Sequence, residues 1–237
     1  MNCHIGSLNL ETLPRIVGTI STCKALFSVA SLNESTCDIV EVRLDEIGHN
    51  LHGWMSACQA IEAAGFPVLL TLRLTSEGGK WNDQDENRNS LFSGALHNLA
   101  CIDIESTSKL RNFLCNQAQE EGKNIIVSYH NFQRTPNFCD LSDVLQEILD
   151  IPCAIPKIST MIVNDADVDT LRDLLAVAKE RPTCIIGMGS KGTKSRLLFP
   201  SLGSCLSYGY IDSPIAPGQL SSSVLVQHLR QSISEYN

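Results

Sequence analysis

About eight short apolar, β-branched runs recur along this chain of 237 residues, each separated from the next by a stretch long enough for a helix. They fall near residues 15–20, 38–44, 67–73, 100–105, 124–128, 155–159, 183–188 and 206–211. The segment from Ser106 to Glu121 carries Leu110, Phe113 and Leu114 on one side and stops at Gly122, a residue suited to a helix C-terminus. Asp165 to Lys179 places Val168, Leu171, Leu174, Leu175 and Val177 at helical spacing, opens on Asn164 and Asp165 as capping residues, and stops before Pro182. Strands alternating with helices mean βα units and a parallel sheet. About eight such units in this length is what a (β/α)8 barrel requires. The expected fold is therefore α/β, a single-domain (β/α)8 TIM barrel. There is no low-complexity linker, so one domain covers 1–237, with the barrel core at about 15–235.

Composition narrows the function classes. At 43% apolar and 19% charged residues the chain reads as a globular protein. No apolar run approaches the roughly 18–20 residues of a membrane span. Met1 to Pro14 has neither a basic start nor an apolar core, so no secretory signal is expected. A net charge of −8 without a basic cluster argues against nucleic acid as a partner. The ten cysteines show no CxxC spacing and several lie in apolar segments; they read as reduced thiols filling core space, with the cytoplasm as the simplest compartment.

Within the apolar runs, charged residues occupy positions where the pattern asks for valine. Glu41, Arg43 and Asp45 follow one another at two-residue spacing, and side chains on a strand alternate faces, so the three should project together. Arg73, Asp103, Glu105 and Lys157 repeat the intrusion on later runs. Burying charge is costly unless it is paired or used. Barrel sites sit at the C-terminal ends of the strands, and Asp45, Arg73, Glu105 and His130 each lie at or near such an end.

Lys157 is either a strand-edge lysine snorkelling to solvent or a desolvated amine able to form a Schiff base with a carbonyl. The other inward charges favour the second reading. His130 immediately follows a strand and is the one histidine placed for acid–base work; the other histidines lie in polar loops or expected helices. Arg73 and Glu77 bracket a turn into Gly78-Gly79, where they are placed to hold a hydroxylated ligand and orient His130; residues 82–87 read as an exposed loop. Gly187-x-Gly189-x-x-Gly192 matches a dinucleotide fingerprint, with Asp212 about 20 residues on, but lacks the further βαβ units such a site needs. Lys194, Ser195 and Arg196 read better as an anion site at a helix start. Residues 213–219 have the composition of a closing flap. Metal-ligand spacings and a GxSxG elbow are absent; Asp103 and Glu105 read as ion-paired rather than metal-binding.

In order, Glu41-x-Arg43-x-Asp45, Arg73-x3-Glu77-Gly78-Gly79, Asp103-x-Glu105, Ser128-Tyr129-His130, Lys157, Met188 with Ser195-Arg196, and Ala216-Pro217-Gly218-Gln219 resemble type I 3-dehydroquinate dehydratase, over about residues 15 to 225. The resemblance implies a (β/α)8 lyase of the shikimate pathway that works without cofactor or metal. It implies that Lys157 forms an imine with the C3 ketone of 3-dehydroquinate, that His130 removes the C2 proton and then protonates the departing C1 hydroxyl in a syn elimination, and that Glu77 orients His130. Glu41 and Arg73 would bind ring hydroxyls, Arg196 and Gln219 the carboxylate, and Met188 and Tyr208 would pack on the ring. Arg43, Asp45, Asp103 and Glu105 would form the supporting charge network, with Arg43 also in reach of substrate.

Two positions depart from the family pattern: Asn131 stands where many members have aspartate, and Ile215 where the flap often has serine, so that one carboxylate hydrogen bond is either missing or supplied by Ser213. Some members are fused to shikimate dehydrogenase; this chain has no room for that domain and is expected to be stand-alone or an excised piece. A homodimer is compatible with such an enzyme. A Schiff-base aldolase, or a sugar-acid or nucleotide-binding domain with an inert Lys157, remain as alternatives.

Overall fold

A computed structural model describes residues 3–28, 32–178, 181–216 and 218–236. Its main sheet has eight parallel strands: β3 (Arg15–Ile20), β4 (Ile39–Arg43), β5 (Val68–Thr71), β6 (Cys101–Glu105), β7 (Ile125–Asn131), β8 (Ala154–Met161), β9 (Cys184–Met188) and β10 (Leu206–Tyr210). Spatial order follows chain order, with β10 pairing back onto β3. Between β9 and β10 the ladder shrinks to a bridge of Thr183 with Ser204, while the Ser204 hydroxyl accepts from the Ile185 N–H at 3.0 Å. The barrel is thus nearly closed.

The helices lie between successive strands. They are α1 (Cys23–Leu26), α2 (Leu44–Ile47), α3 (Trp54–Ala63), α4 (Asp85–Asn98), α5 (Arg111–Glu120), α6 (Phe138–Leu149), α7 (Asp165–Val177), α8 (Ser195–Ser201) and α9 (Ser222–Ser232). Strand residues are buried on both faces because helices cover one side and the barrel lumen the other. Outward residues such as Val40, Val42, Leu70 and Ile102 pack under helices. Inward residues such as Val17, Ile39, Leu69, Ile126 and Ile155 fill the lumen. A hairpin of β1 (His4–Ile5) and β2 (Leu8–Asn9) plugs the N-terminal end of the barrel, adding Ile5 and Leu10 to the lumen cluster. The hairpin is tied down where Asn124 accepts from the His4 N–H at 2.9 Å. Nothing in the local pattern pointed to this plug, since its strands are two residues long.

The expected elements appear with shifts that have local causes. β7 and β8 run past their apolar cores because their ladder continues to the pairing of Asn131 with Thr160. His130 is therefore inside a strand rather than after it. β4 stops at Arg43, so Asp45 sits in the turn of α2 instead of extending the strand. α5 begins at Arg111, five residues later than its periodicity suggests, because Ser108 accepts from the Leu110 N–H and holds a turn ahead of the helix. Phe113 and Val177, expected on buried faces, are exposed. α7 is capped by Asn164 and Asp167 in a reciprocal capping box. Lys179, its expected last residue, lies outside the described residues. Residues 82–87 are exposed as expected, but 85–87 already belong to α4.

The cysteines are free thiols, eight of them buried, with only Cys23 and Cys139 exposed. Among the described residues no helix is long and apolar enough to cross a membrane. Truncating Leu69, which is fully buried in the lumen, should cost about 2–5 kcal/mol in urea denaturation. Phe113→Ala, at a site 55% exposed, should stay within about 0.5 kcal/mol.

Candidate active site

A cleft of about 600 Å3 opens at the C-terminal end of the barrel. Strand alternation aims Glu41, Arg73, His130, Lys157, Met188 and Tyr208 into it from six different strands or strand ends, and Glu77, Arg196 and Gln219 reach it from the loops and helix that follow. Arg43 also lines it.

Beneath the cleft lies a buried ion cluster. Arg73 donates to Asp103 at 2.7 Å, to Glu105 at 3.1 Å and to the Ser128 hydroxyl at 2.8 Å. The Ser128 hydroxyl in turn donates to Asp103 at 2.6 Å, and Lys157 Nζ donates to the other Asp103 oxygen at 2.9 Å. Arg88, from α4 and fully buried, clamps the second Glu105 oxygen and also donates to the Leu72 carbonyl. Burial alone would raise the Asp103 carboxyl, but Arg73 and Lys157 outweigh it and hold the group well below the usual carboxylate range.

The network expected around Lys157 is thus two networks. Asp103 and Glu105 belong to the deep cluster. Arg43 and Asp45 form a separate rim pair, joined at Arg43 Nε and Nη2 by bonds of 2.9 and 2.7 Å, with Glu46 3.7 Å away. Asp45 does not line the cleft; it also accepts from the Lys80 N–H at 3.1 Å, tying down the 74–81 loop. Glu41 is held by two hydroxyls, Thr19 and Thr71, each at 2.8 Å. Sequence reasoning missed both threonines and Arg88. The threonines look like ordinary β-formers, and Arg88 sits in the polar first half of its helix, whose inner face there only the packed structure reveals.

His130 Nδ1 lies 2.9 Å from Glu77 Oε2, and the other Glu77 oxygen accepts from Thr107 at 3.0 Å. Burial, reinforced by the Arg73 and Lys157 charges, holds the imidazole pKa well below its ordinary value, so it is neutral at physiological pH. Burial pushes the Glu77 carboxyl up to about 7, against the pull of Arg73. Gly78, at φ +75°, leaves room for the Phe132 ring that stacks beside His130; a Cβ there would stand 2.4 Å from that ring.

Lys157 Nζ rests 4.0 Å over the Tyr208 ring. Arg196 donates to the Tyr208 carbonyl at 3.1 Å, and among the described residues it has no carboxylate partner. Its Nε is buried and unpaired, and burial pulls its pKa down to about 10. The other members of the expected anion site are elsewhere. Lys194 is exposed, and the Ser195 hydroxyl is spent on the Gly187 N–H and the Gly192 carbonyl at 3.1 and 2.6 Å. The glycines of the GxGxxG segment serve this same turn: a Cβ on Gly192 would meet the Gly187 and Met188 carbonyls at 2.5 Å. Asp212 accepts from the Ser21 N–H, anchoring the flap, and Ser213 turns its hydroxyl toward Ser21 rather than the cleft. Ile215 and Gln219 line the cleft, with Gln219 Oε1 accepting from the Ile215 N–H at 2.9 Å, so its amide N–H2 stays free to donate. Pro217 lies outside the described residues.

The arrangement combines an amine, a neutral imidazole with a carboxylate behind it, and a buried unpaired cation in one cleft. Among the described residues no group of three His, Cys, Asp or Glu side chains is placed to hold a metal ion. Arg88→Leu should remove the cation clamped on Glu105 and cost about 3–5 kcal/mol in urea denaturation. Arg172→Leu, which breaks only exposed pairs with Asp169 and Asp173, should change stability by less than about 0.5 kcal/mol.

Comparison with known proteins agrees with this geometry. The chain is 33% identical over 225 residues to a 3-dehydroquinate dehydratase of Methanococcoides burtonii, covering 91% of this chain and 93% of that one. A crystal structure of the 3-dehydroquinate dehydratase from Aquifex aeolicus superposes with a TM-score of 0.81 at 29% identity, covering 92% of this chain and 98% of that one. The fold also matches the type I 3-dehydroquinate dehydratase of Clostridium difficile, solved with covalently modified comenic acid, at a TM-score of 0.87, 24% identity and full coverage of both chains. The family model for type I 3-dehydroquinase matches residues 17–235, and the chain belongs to that family.

Proposed function

We propose that this chain is a hydro-lyase of the shikimate pathway that converts 3-dehydroquinate to 3-dehydroshikimate through a Schiff base on Lys157, the described residues acting as one dehydratase domain. The observation that carries the reading is the convergence of Lys157, neutral His130 and unpaired Arg196 on one cleft. A buried cation without an acid partner is costly unless a ligand carboxylate completes the pair. Family membership supplies the substrate class.

The Lys157 amine adds to the C3 ketone and, with loss of one water, forms an imine whose protonated form withdraws electrons from C2. His130 Nε2 takes the C2 proton, because Nδ1 is occupied by Glu77 and the ring is uncharged. The C2–C1 double bond forms as the C1–O bond breaks, and the same imidazole returns the proton to the departing hydroxyl, releasing water on the face from which the proton came. Hydrolysis of the product imine restores Lys157. The iminium is itself the electron sink, so these steps call for no metal or cofactor. Arg196 and the free Gln219 N–H2 would take the carboxylate; Met188 and Tyr208 would cover the ring. Glu41 and Arg73 already have protein partners, Thr19 and Thr71 for the first and Asp103, Glu105 and Ser128 for the second, with acceptor and donor capacity left over. Their fixed partners hold them in place, and the remaining acceptor and donor sites are open to ring hydroxyls. A carboxylate site beside an acid–base pair favours elimination over the aldol reading.

Borohydride reduction in the presence of 3-dehydroquinate should leave a substrate-derived adduct on the peptide containing Lys157. Lys157→Ala should lose the adduct and at least about a thousandfold in kcat; a variant that still dehydrates would defeat the imine. His130→Ala should lose about 10²–10⁴-fold in kcat.

The Glu77–His130 pair sets a pH dependence. Above about 7 Glu77 is ionised, accepts the Nδ1 proton and leaves Nε2 as the base; as pH falls through that value the pair takes up a proton and the base form is lost. The acid limb of the kcat/KM profile should therefore bend near pH 7, falling about tenfold per unit below it. Glu77→Gln, which still accepts from Nδ1 but does not titrate, should abolish that bend; an unchanged profile would refute the assignment.

A further inference from the structure

Ser159 is a buried serine that the chemistry described so far leaves unused. It lies two residues beyond Lys157 on β8, with Ile155 and Lys157 on the same lumen-facing side, while Ile158 between them packs outward under the helices. In the sheet register Ser159 is paired with His130 on one neighbouring strand and with Ile186 on the other. Adjacent strands lie about 4.8 Å apart, so Ser159 stands directly beside the imidazole-bearing residue, and roughly 6–7 Å nearer the barrel mouth than the base of Lys157. It is 2% exposed and lines the cleft, yet its hydroxyl makes no hydrogen bond to any described residue. The hydroxyls around it differ: Thr19, Thr71, Ser128 and Thr160 all have side-chain partners. The little surface Ser159 keeps faces the cleft, and its hydroxyl is not among the fully buried unpartnered atoms, so it is open to a ligand there.

We infer that Ser159 is a substrate-positioning residue that donates its hydroxyl hydrogen bond to the C1 oxygen leaving as water. The inference rests on the reaction proposed above. In that reaction the leaving oxygen must lie next to His130, which protonates it, and Ser159 is the cleft-facing neighbour of His130 on the strand that also carries the imine. As the C1–O bond lengthens, the oxygen gathers negative charge before the imidazolium proton reaches it. A donor fixed beside it is then bound more tightly in the transition state than in the ground state, which raises kcat rather than lowering KM. The Ile186 and Met188 side chains on the next strand are apolar, so within that part of the cleft Ser159 supplies the polar contact.

The test compares the wild-type chain with Ser159→Ala and Ser159→Thr on 3-dehydroquinate, measuring kcat, KM and the borohydride-trapped adduct on Lys157. The expected result is a loss of about tenfold in kcat for Ser159→Ala, with KM within about twofold. Trapping of the substrate imine should stay at the wild-type level, and Ser159→Thr should recover most of the rate. A kcat for Ser159→Ala within about twofold of wild type would overturn the inference, as would a loss of adduct in step with the loss of rate, which marks a merely structural serine. Failure of wild type to form the adduct or dehydrate would instead sink the reaction itself, before Ser159 comes into question.

Discussion

The site depends on one buried ion cluster, Arg73 bridging Asp103 and Glu105 with Lys157 and Arg88 at its two ends. Three cations face two carboxylates there, and each carboxylate oxygen has a donor. In the barrel lumen such charges are tolerable only because they satisfy one another. The same pairing holds Lys157 Nζ at a defined point against the Tyr208 ring. The cations also act outward: Arg73 and Lys157, added to burial, keep His130 uncharged. One electrostatic arrangement thus places the amine and leaves the imidazole free to act as a base.

Above this cluster the cleft is built from short-range devices. Thr107 fixes one oxygen of Glu77, His130 takes the other, and Gly78 admits the Phe132 ring alongside. Thr19 and Thr71 hold Glu41 in the same way. Hydroxyl groups orient each carboxylate: those on Glu41 come from neighbouring strands and follow from register, whereas Thr107 and Glu77 meet through the turns that follow β6 and β5. Arg196 is the exception. It is a buried guanidinium that, among the described residues, is tied to a backbone carbonyl and to no carboxylate, the feature on which the proposed carboxylate site rests.

Much of this was legible in residue order. Charges at strand spacing singled out Arg73, Asp103, Glu105 and Lys157, because burial makes an unpaired charge improbable without a use. The single charge network did not survive. β4 ends at Arg43, and a helical turn sends Asp45 to the rim while Asp103 and Glu105 stay deep. Arg88 was invisible because the first turns of its helix, Asp85 to Ser90, are polar throughout; only α4 packing against β6 shows that this arginine is an internal counter-ion. The anion site drawn from Lys194, Ser195 and Arg196 reduced to Arg196, since Ser195 closes a turn and Lys194 faces solvent. The N-terminal plug had no local signature.

Periodicity and residue type by themselves determined the barrel, the lumen-facing charges and the identity of the amine and imidazole, since these depend on spacing along one strand at a time. What only the tertiary structure decided is which charge meets which. That follows from the stagger of eight strands around the barrel, which brings residues 54 and 53 positions apart, Lys157 to Asp103 and His130 to Glu77, within 2.9 Å. Side chains brought together from separate strands carry no spacing rule in the chain, because their distance is set by sheet register and barrel closure.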